Sequence, residues 1–221
     1  SGFTVTSPYK RTVIPFLDEL TPEAEALQAV NTIRRLGNGR LVGHNTDVYG
    51  FEKLAKEKRI RGRKVLVLGT GGASSAICQA LRNLGAKEII RVSRNRRPEP
   101  DCCTYDELNR HPDAQVIVNS TPIGMYPNNG HSPLDGCSVK WTDFRQLETA
   151  LDAIYNPYRT KFLMDAEEAG AEVESGLAML VYQGLRSAQI WGEVPRSGKG
   201  RRIVAEQTRG ENGRKKEKKK R

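Results

Sequence analysis

The chain has 221 residues, of which 37% are hydrophobic and 28% are charged, and its formal net charge is +10. This length is enough for one large domain or two small ones with a substantial core. No run of about 18 apolar residues occurs, so no membrane span is predicted. The chain starts at Ser1 without a charged and apolar leader, from which we expect a fragment or a processed start and no signal peptide.

The four cysteines do not indicate a metal site or a disulfide framework. They are Cys78, Cys102, Cys103 and Cys137, and their spacing matches no common ligand pattern. Adjacent Cys102 and Cys103 would pair only with strain. A reduced, cytoplasmic protein without a bound metal is therefore expected.

The positive charge is concentrated at the C-terminus. Residues 196–221 carry twelve Lys/Arg and three Glu, so this segment holds +9 of the total of +10. Because it has almost no apolar residues, it is predicted to be a disordered basic tail. Such a tail could contact nucleic acid weakly and without sequence preference. The remaining 195 residues are nearly neutral.

Short strands and helices alternate in the first sixty residues. The predicted elements are a strand over 3–6, a helix over 13–20, a helix entered at Thr21 and Pro22, a hairpin of strands 29–33 and 40–45, and a helix over 48–58. The hairpin turns at Asn38–Gly39, a dipeptide that favours tight turns. A domain boundary is expected near Phe51.

A glycine-rich turn at residues 69–72 is the most informative stretch. Four apolar residues, 65–68, predict a buried strand, Gly69, Gly71 and Gly72 form the turn, and a helix follows over 75–84. Unpaired N–H groups and the positive end of the helix dipole at such a join bind phosphate groups. Glycines leave room for a pyrophosphate, which predicts a dinucleotide site. An ordinary strand–helix turn is the alternative interpretation.

The end of the next predicted strand, 88–93, distinguishes between two dinucleotides. An NAD site normally offers Asp or Glu about 20 residues beyond the glycines. Here the chain has Ser93, Arg94 and Asn95, followed by Arg96 and Arg97. A guanidinium suits a 2′-phosphate, so the sequence favours NADP. A basic surface loop is the alternative.

The pattern continues to residue 191 with strands and helices in alternation. Predicted are a short helix over 105–109, strands over 115–119 and 150–155, a helix over 160–169 and a long helix over 176–191. Alternating elements of this kind define the α/β class, and a doubly wound parallel sheet is expected.

Seven motifs in a fixed order resemble the shikimate dehydrogenase family over about residues 2–195. They are GFTVTSPYK (2–10), AVNT (29–32), GHNTD (43–47), GTGGASSA (69–76), NSTPIGM (119–125), DAIY (152–155) and GLAMLVYQ (176–183). The resemblance implies an NADP-dependent oxidoreductase of aromatic amino-acid and chorismate biosynthesis that interconverts 3-dehydroshikimate and shikimate. It also implies a Rossmann-like NADP domain beside a substrate-binding domain.

The motif matches also imply site residues. Lys10 is expected as general acid/base with Asp47 as its hydrogen-bonding partner, since reducing a ketone needs a proton donor beside the hydride donor. The matches expected to bind substrate are Thr6, Asn31, Tyr155 and Gln183. Those expected to bind the cofactor are Gly69, Gly71, Gly72, Ala73, Ser93, Arg94, Asn95, Thr121, Pro122, Gly176 and Met179. For Met179, a core methionine is an equally good interpretation.

The resemblance implies four segments. Residues 1–50 are the C-terminal part of a substrate-binding domain, 51–175 the NADP domain, 176–195 a helix closing the cleft and 196–221 the tail. The family has roughly fifty further residues before Gly2, including a serine pair for the substrate carboxylate, so this α/β substrate domain is expected to be incomplete. Thr4 stands where the family usually has Asn, and Gln28 where it usually has Gly.

Three functional alternatives follow from these observations. The parent enzyme is expected to be active as a monomer or homodimer, while these 221 residues alone bind NADP and turn over shikimate poorly. An inactive NADP-binding fragment or a nucleic-acid-associated module using the basic tail is the second interpretation. A quinate dehydrogenase is the third.

Overall fold

The computed structural model describes residues 1–192, and the predicted basic tail lies outside the described residues. The N-terminal part contains a four-stranded mixed sheet with one helix. Its elements are β1 (Gly2–Thr4), β2 (Glu19–Leu20), α1 (Pro22–Leu27), β3 (Thr32–Arg35) and β4 (Leu41–His44). The strand order is β1-β3-β4-β2, with β2 parallel to β4 and the other pairs antiparallel.

The helix predicted over 13–20 was wrong. The structure has a short 3₁₀ helix at Ile14–Phe16, and the chain then extends through Leu17 into β2. Pro15 lies in the first turn of this short helix, where its missing N–H breaks no hydrogen bond, and the chain then leaves the helix to pair β2 with β4. The apolar side chains of Val13, Ile14 and Leu17 still pack against the small N-terminal core. Their spacing therefore indicates residues that become buried, although they do not form an α-helix.

The signals at α1 and at the hairpin were correct. Thr21 caps α1, its hydroxyl accepting from the Ala24 N–H, and Pro22 is the first helical residue. Strands β3 and β4 pair antiparallel from Thr32 with His44 to Arg35 with Leu41. Gly39 in the connecting turn has φ +87°, a conformation that favours glycine.

The rest of the described chain forms a parallel α/β layer structure. Its elements are α2 (Asp47–Ala55), β5 (Lys64–Leu68), α3 (Gly72–Asn83), β6 (Glu88–Ser93), β7 (Cys102–Thr104), β8 (Val116–Asn119), β9 (Thr149–Asp152), α4 (Lys161–Glu168), β10 (Glu172–Glu174) and α5 (Leu177–Trp191). The strand order is β10-β9-β8-β5-β6-β7, and every pair is parallel. This is the doubly wound, Rossmann-like sheet that the sequence predicts.

Side chains of the central strands alternate between two buried layers. Val65 and Val67 pack with α2 and α3 residues such as Phe51 and Leu81. Leu66 and Leu68 face the opposite layer, which contains α4. Both faces of the sheet are therefore covered, as a parallel sheet requires. The edge strands β7 and β10, three residues each, have no apolar run and were not predicted.

Helices α2 and α5 pack closely against each other at Gly50. A Cβ at this position would lie 2.6 Å from the Met179 carbonyl oxygen and 3.0 Å from Gln183 Cβ. Any side chain here would push α5 away from α2. The expected domain boundary near Phe51 falls inside α2. One continuous helix therefore links the N-terminal sheet to the parallel sheet, and its contact with α5 lies at this link.

Gly50→Ala is expected to lower the free energy of unfolding by about 1–3 kcal/mol, because overpacking against backbone outweighs the helix propensity of alanine. Gly37→Ala is the matched control, since nothing lies within 4 Å of its added Cβ. Urea denaturation measures both. Equal midpoints for the two variants would contradict the close packing.

Candidate active site

A buried ion pair lies at one wall of a cleft between the two sheets. The Lys10 Nζ lies 2.6 Å from Asp47 Oδ2, and the two side chains are 17% and 8% exposed. Asp47 is the first residue of α2, where the helix dipole favours a carboxylate. Lys10 follows β1 in a turn, and its carbonyl accepts a hydrogen bond from the Val30 N–H. The pair is thus fixed from two separate segments.

Asn31 holds the second oxygen of the Asp47 carboxylate. Its Nδ2 donates to Asp47 Oδ1 over 2.9 Å, while its Oδ1 accepts from the Thr46 N–H over 2.8 Å. A carboxylate only accepts and a backbone N–H only donates, so the orientation of this amide is determined. Asn31 is itself buried, so these contacts are shielded from water.

The ion pair faces a cavity of about 290 Å³. Eight residues expected from the motifs line it: Thr6, Lys10, Asn31, Asp47, Tyr155, Gly176, Met179 and Gln183. They come from the turn after β1, from β3 and α2, from the loop after β9 and from α5. Thr4, where the sequence departs from the family, also lines this cavity.

Val5, Ala153 and Leu180 complete the lining, and the sequence reasoning missed them as site residues. Each lies inside one of the seven motifs, next to Thr6, Asp152 and Met179 respectively. Apolar character gave no chemical reason to select them. Met179 is buried in the core with residues of α2 and also lines the cavity, while its expected contact with the cofactor stays a prediction.

The glycine-rich turn joins β5 to α3 with open space above it. Gly71 caps α3 without a side-chain hydrogen bond, and Cβ atoms at Gly71 and Gly72 would meet nothing within 4 Å. Gly69 has φ +99°, and a Cβ there would lie 2.8 Å from Thr121 Cγ2. The free N–H groups of a twelve-residue helix with this opening fit a pyrophosphate. Ala73 continues the first turn of α3.

The basic turn lies at the end of the neighbouring strand β6. The register pairs Leu68 with Val92, and the Gly69 N–H donates to the Val92 carbonyl over 2.8 Å. Ser93 is buried, whereas Arg94 and Asn95 are exposed next to it. Arg97 Nε donates to Ser93 Oγ over 3.4 Å, which orders the turn. These residues are close to the glycine turn but do not line the Lys10 cavity.

A buried carboxyl connects the ends of β8 and β9. Asp152 accepts from Asn119 Nδ2 over 3.1 Å, from the Ile154 N–H over 2.9 Å and from Thr160 Oγ1 over 2.6 Å. Asn119 Oδ1 in turn accepts from the Thr121 N–H and hydroxyl. The network holds Thr121 and exposed Pro122 near Gly69, although neither lines the Lys10 cavity. Burial raises the pKa of Asp152 to about 6.

Within residues 1–192, no helix is long and apolar enough to cross a membrane. The same part of the chain contains no group of three or more His, Cys, Asp or Glu side chains arranged to hold a metal ion. All four cysteines are free thiols.

The parallel sheet, the glycine turn and the basic strand end together are those of a dinucleotide-binding α/β protein, with a second cleft-forming sheet before it. The family model described as shikimate dehydrogenase substrate binding domain matches residues 1–33. A shikimate dehydrogenase (NADP(+)) of Bacillus cereus is 36% identical over 227 residues, covering 95% of this chain and 80% of that protein.

Solved structures agree with the sequence comparison. Shikimate dehydrogenase 1 from Peptoclostridium difficile has a TM-score of 0.81 at 33% identity, covering 95% of this chain and 78% of that one. A chorismate mutase/shikimate 5-dehydrogenase fusion protein from Clostridium acetobutylicum has a TM-score of 0.78 at 39% identity, covering 89% and 72%. The chain belongs to the shikimate dehydrogenase family.

The raised pKa of Asp152 predicts a pH dependence of stability. Its pKa is higher in the folded protein, about 6, than the ordinary 3.8, so the folded state binds the proton more tightly. This stabilisation is complete below about pH 4 and is lost as pH rises through about 6. About two pKa units correspond to at most about 3 kcal/mol.

Asp152→Asn is expected to remove this dependence, since asparagine does not titrate. Urea denaturation of both proteins between pH 4 and pH 7.5 gives the difference in unfolding free energy at each pH. The free energy of unfolding of the wild type minus that of the variant should fall as pH rises. A constant difference across this range would contradict a protonated Asp152 in the folded protein.

Proposed function

We propose that this protein is an NADP-dependent oxidoreductase that interconverts 3-dehydroshikimate and shikimate. Family membership supports the reaction class, and relatives such as the Bacillus cereus protein are named for NADP. The single observation that carries the proposal is the Lys10–Asp47 pair, which is largely buried at the wall of a cavity with polar groups on several sides.

The cofactor is proposed to lie along the carboxyl edge of the parallel sheet. Gly69, Gly71, Gly72 and Ala73 would hold the pyrophosphate, and Ser93, Arg94 and Asn95 the adenosine phosphate. Thr121, Pro122, Gly176 and Met179 would lie near the nicotinamide half. When bound there, NADPH supplies the hydride for reduction of the ketone.

Lys10 is proposed to manage the proton. Its Nζ donates a proton to the developing alkoxide, and in the reverse direction takes it from the hydroxyl group. Asp47 Oδ2 accepts a hydrogen bond from Nζ and so aims it into the cavity. Asn31 prevents the carboxylate from rotating, because it holds the other oxygen. Both side chains are largely shielded from water, which strengthens the attraction between their charges.

The polar side chains around the ion pair are proposed to bind the hydroxyl and carboxylate groups of the substrate. Thr6 and Tyr155 lie on loops at the cavity, and Asn31 and Gln183 on β3's entry and α5. Tyr155 is 47% exposed, which leaves its hydroxyl available to a ligand. Four donors and acceptors from four segments suit a compact polyhydroxylated acid.

The four-segment organisation stays part of the proposal. Residues 1–50 carry most substrate contacts, 51–175 carry the dinucleotide site, and 176–195 close the cleft. Residues 193–195 and the tail lie outside the described residues. Free thiols support a reducing cytoplasmic location. Slow turnover by these 221 residues alone stays a prediction, which the assay below also measures.

Lys10→Met is expected to lower kcat for shikimate oxidation by about 10²–10⁴-fold, the usual contribution of general acid/base catalysis. NADP affinity should not change, because Lys10 lies outside the glycine and basic turns. Lys87→Met is the control: Lys87 is exposed at the amino end of β6, at the opposite edge of the sheet. Formation of NADPH is followed with shikimate and with quinate as substrates.

Wild-type activity on neither substrate would refute the proposal. A higher kcat/KM for quinate would select the quinate dehydrogenase alternative. Equal loss of kcat in the Lys10 and Lys87 variants would exclude Lys10 as the proton donor.

Arg94→Gln is expected to weaken NADPH binding by about 10–100-fold, because one charge-assisted hydrogen bond to phosphate is lost. NADH has no 2′-phosphate, so its dissociation constant should change little. Arg59→Gln is the control, an exposed arginine between α2 and β5. Fluorescence titration with both nucleotides requires no turnover. Equal weakening for NADPH and NADH would contradict phosphate recognition by Arg94.

A further inference from the structure

Three hydroxyl groups meet behind the ion pair, out of contact with solvent. Ser187 on α5, Thr32 on β3 and Thr46 before α2 are each at most 1% exposed. Ser187 Oγ lies 2.6 Å from Thr32 Oγ1 and 3.2 Å from Thr46 Oγ1. We call these three residues the hydroxyl cluster. The cluster links β3, the start of α2 and α5, and the cavity residues Asn31, Asp47 and Gln183 lie on or next to the same three elements.

The hydrogen bonds of the hydroxyl cluster leave each hydroxyl few alternative directions, because donors and acceptors are limited in number. Three hydroxyl groups supply three protons, and the acceptors outside the cluster are Asn31 Oδ1, Gln183 Oε1 and the Gln183 carbonyl oxygen. Buried polar groups without partners are costly, so each hydroxyl must keep its direction. Removal of one hydroxyl takes one hydrogen-bond partner from each of the other two.

The cluster reaches the ion pair through a single amide. Thr32 and Thr46 hydroxyls lie 3.0 Å and 3.2 Å from Asn31 Oδ1, and Asn31 Nδ2 donates to Thr46 Oγ1 over 3.0 Å. The same Nδ2 donates to Asp47 Oδ1 over 2.9 Å. The hydroxyl cluster thus contacts both ends of the Asn31 amide and reinforces the orientation that Asp47 and the Thr46 N–H set.

We infer that Ser187 is a positioning residue for the Lys10–Asp47 pair, acting through Thr32, Thr46 and Asn31. Ser187 follows Gln183 by one helical turn of α5. The helix therefore brings Gln183 to the cavity, while Ser187 contacts the hydroxyl groups that support the ion pair. A shift of α5 would move both. This inference rests on the proposed function for its activity measurements.

Ser187→Ala and Thr32→Val remove one hydroxyl each, and valine keeps the shape of threonine. Each is expected to lower kcat about tenfold with an unchanged KM for NADP, since a misplaced catalytic group affects the chemical step. Thr32→Ser keeps the hydroxyl and should stay within about twofold of wild type. The double variant should lose much less than the ~100-fold expected of independent sites.

Ser132→Ala is the matched control for a buried serine. Its Oγ accepts from the Leu134 N–H, and it does not line the cavity. It should lower the unfolding midpoint while kcat stays at the wild-type value. Wild-type kcat in Ser187→Ala, or equal losses in Thr32→Ser and Thr32→Val, would overturn the inference.

A measurement on the protein without ligands separates this inference from the proposed function. The side-chain amide signals of Asn31 in a ¹H–¹⁵N spectrum are assigned by their loss in Asn31→Asp. They should shift and exchange faster in Ser187→Ala and stay unchanged in Ser132→Ala. Unchanged signals in Ser187→Ala would overturn the inference, whereas shifted signals in an inactive protein would refute only the proposed reaction.

Discussion

The hydrogen-bonded contact between Lys10 and Asp47 is the interaction on which the cavity depends. Two charges largely removed from water stabilise each other only when their geometry is fixed, because otherwise the desolvation cost dominates. The fold supplies that geometry through the first turn of α2, the Asn31 amide and the Val30–Lys10 backbone bond. The turn after β1 and the start of α2 thus hold the two side chains 2.6 Å apart.

Two polar networks support opposite walls of the cleft. The hydroxyl cluster and Asn31 hold the ion pair, and Asp152 with Asn119 holds Thr121 beside the glycine turn. Both networks are buried, where hydrogen bonds are strong and an unpaired group is costly. Between them, α5 contacts α2 at Gly50 and carries Met179 and Gln183 to the cavity. Each wall is thus fixed by donors and acceptors with little freedom to rearrange.

The elements that sequence patterns predicted well are those with strong local chemistry. Strand β6 was predicted with its observed bounds, and Thr21–Pro22 marked the start of α1, since a cap and a proline act within one turn. The helix predicted over 13–20 is wrong because helical apolar spacing also arises when a loop buries residues, and because Glu19 and Leu20 pair with β4 instead. The edge strands β7 and β10 exist because a neighbouring strand pairs with them, which local residues do not encode.

The sequence by itself determined the residue types at the candidate site and the family to which the chain belongs. Motif order selects Lys10, Asp47, Asn31 and Gln183, because each motif places a chemical group within a short, locally encoded element. Only the tertiary structure decided which of these groups meet: the motif residues around the Lys10 cavity come together, while Arg94 and Thr121 lie elsewhere along the sheet edge. It also revealed the contact of Ser187 with Thr32, 155 positions apart. Contacts between distant residues arise from packing of whole elements, which no local pattern specifies.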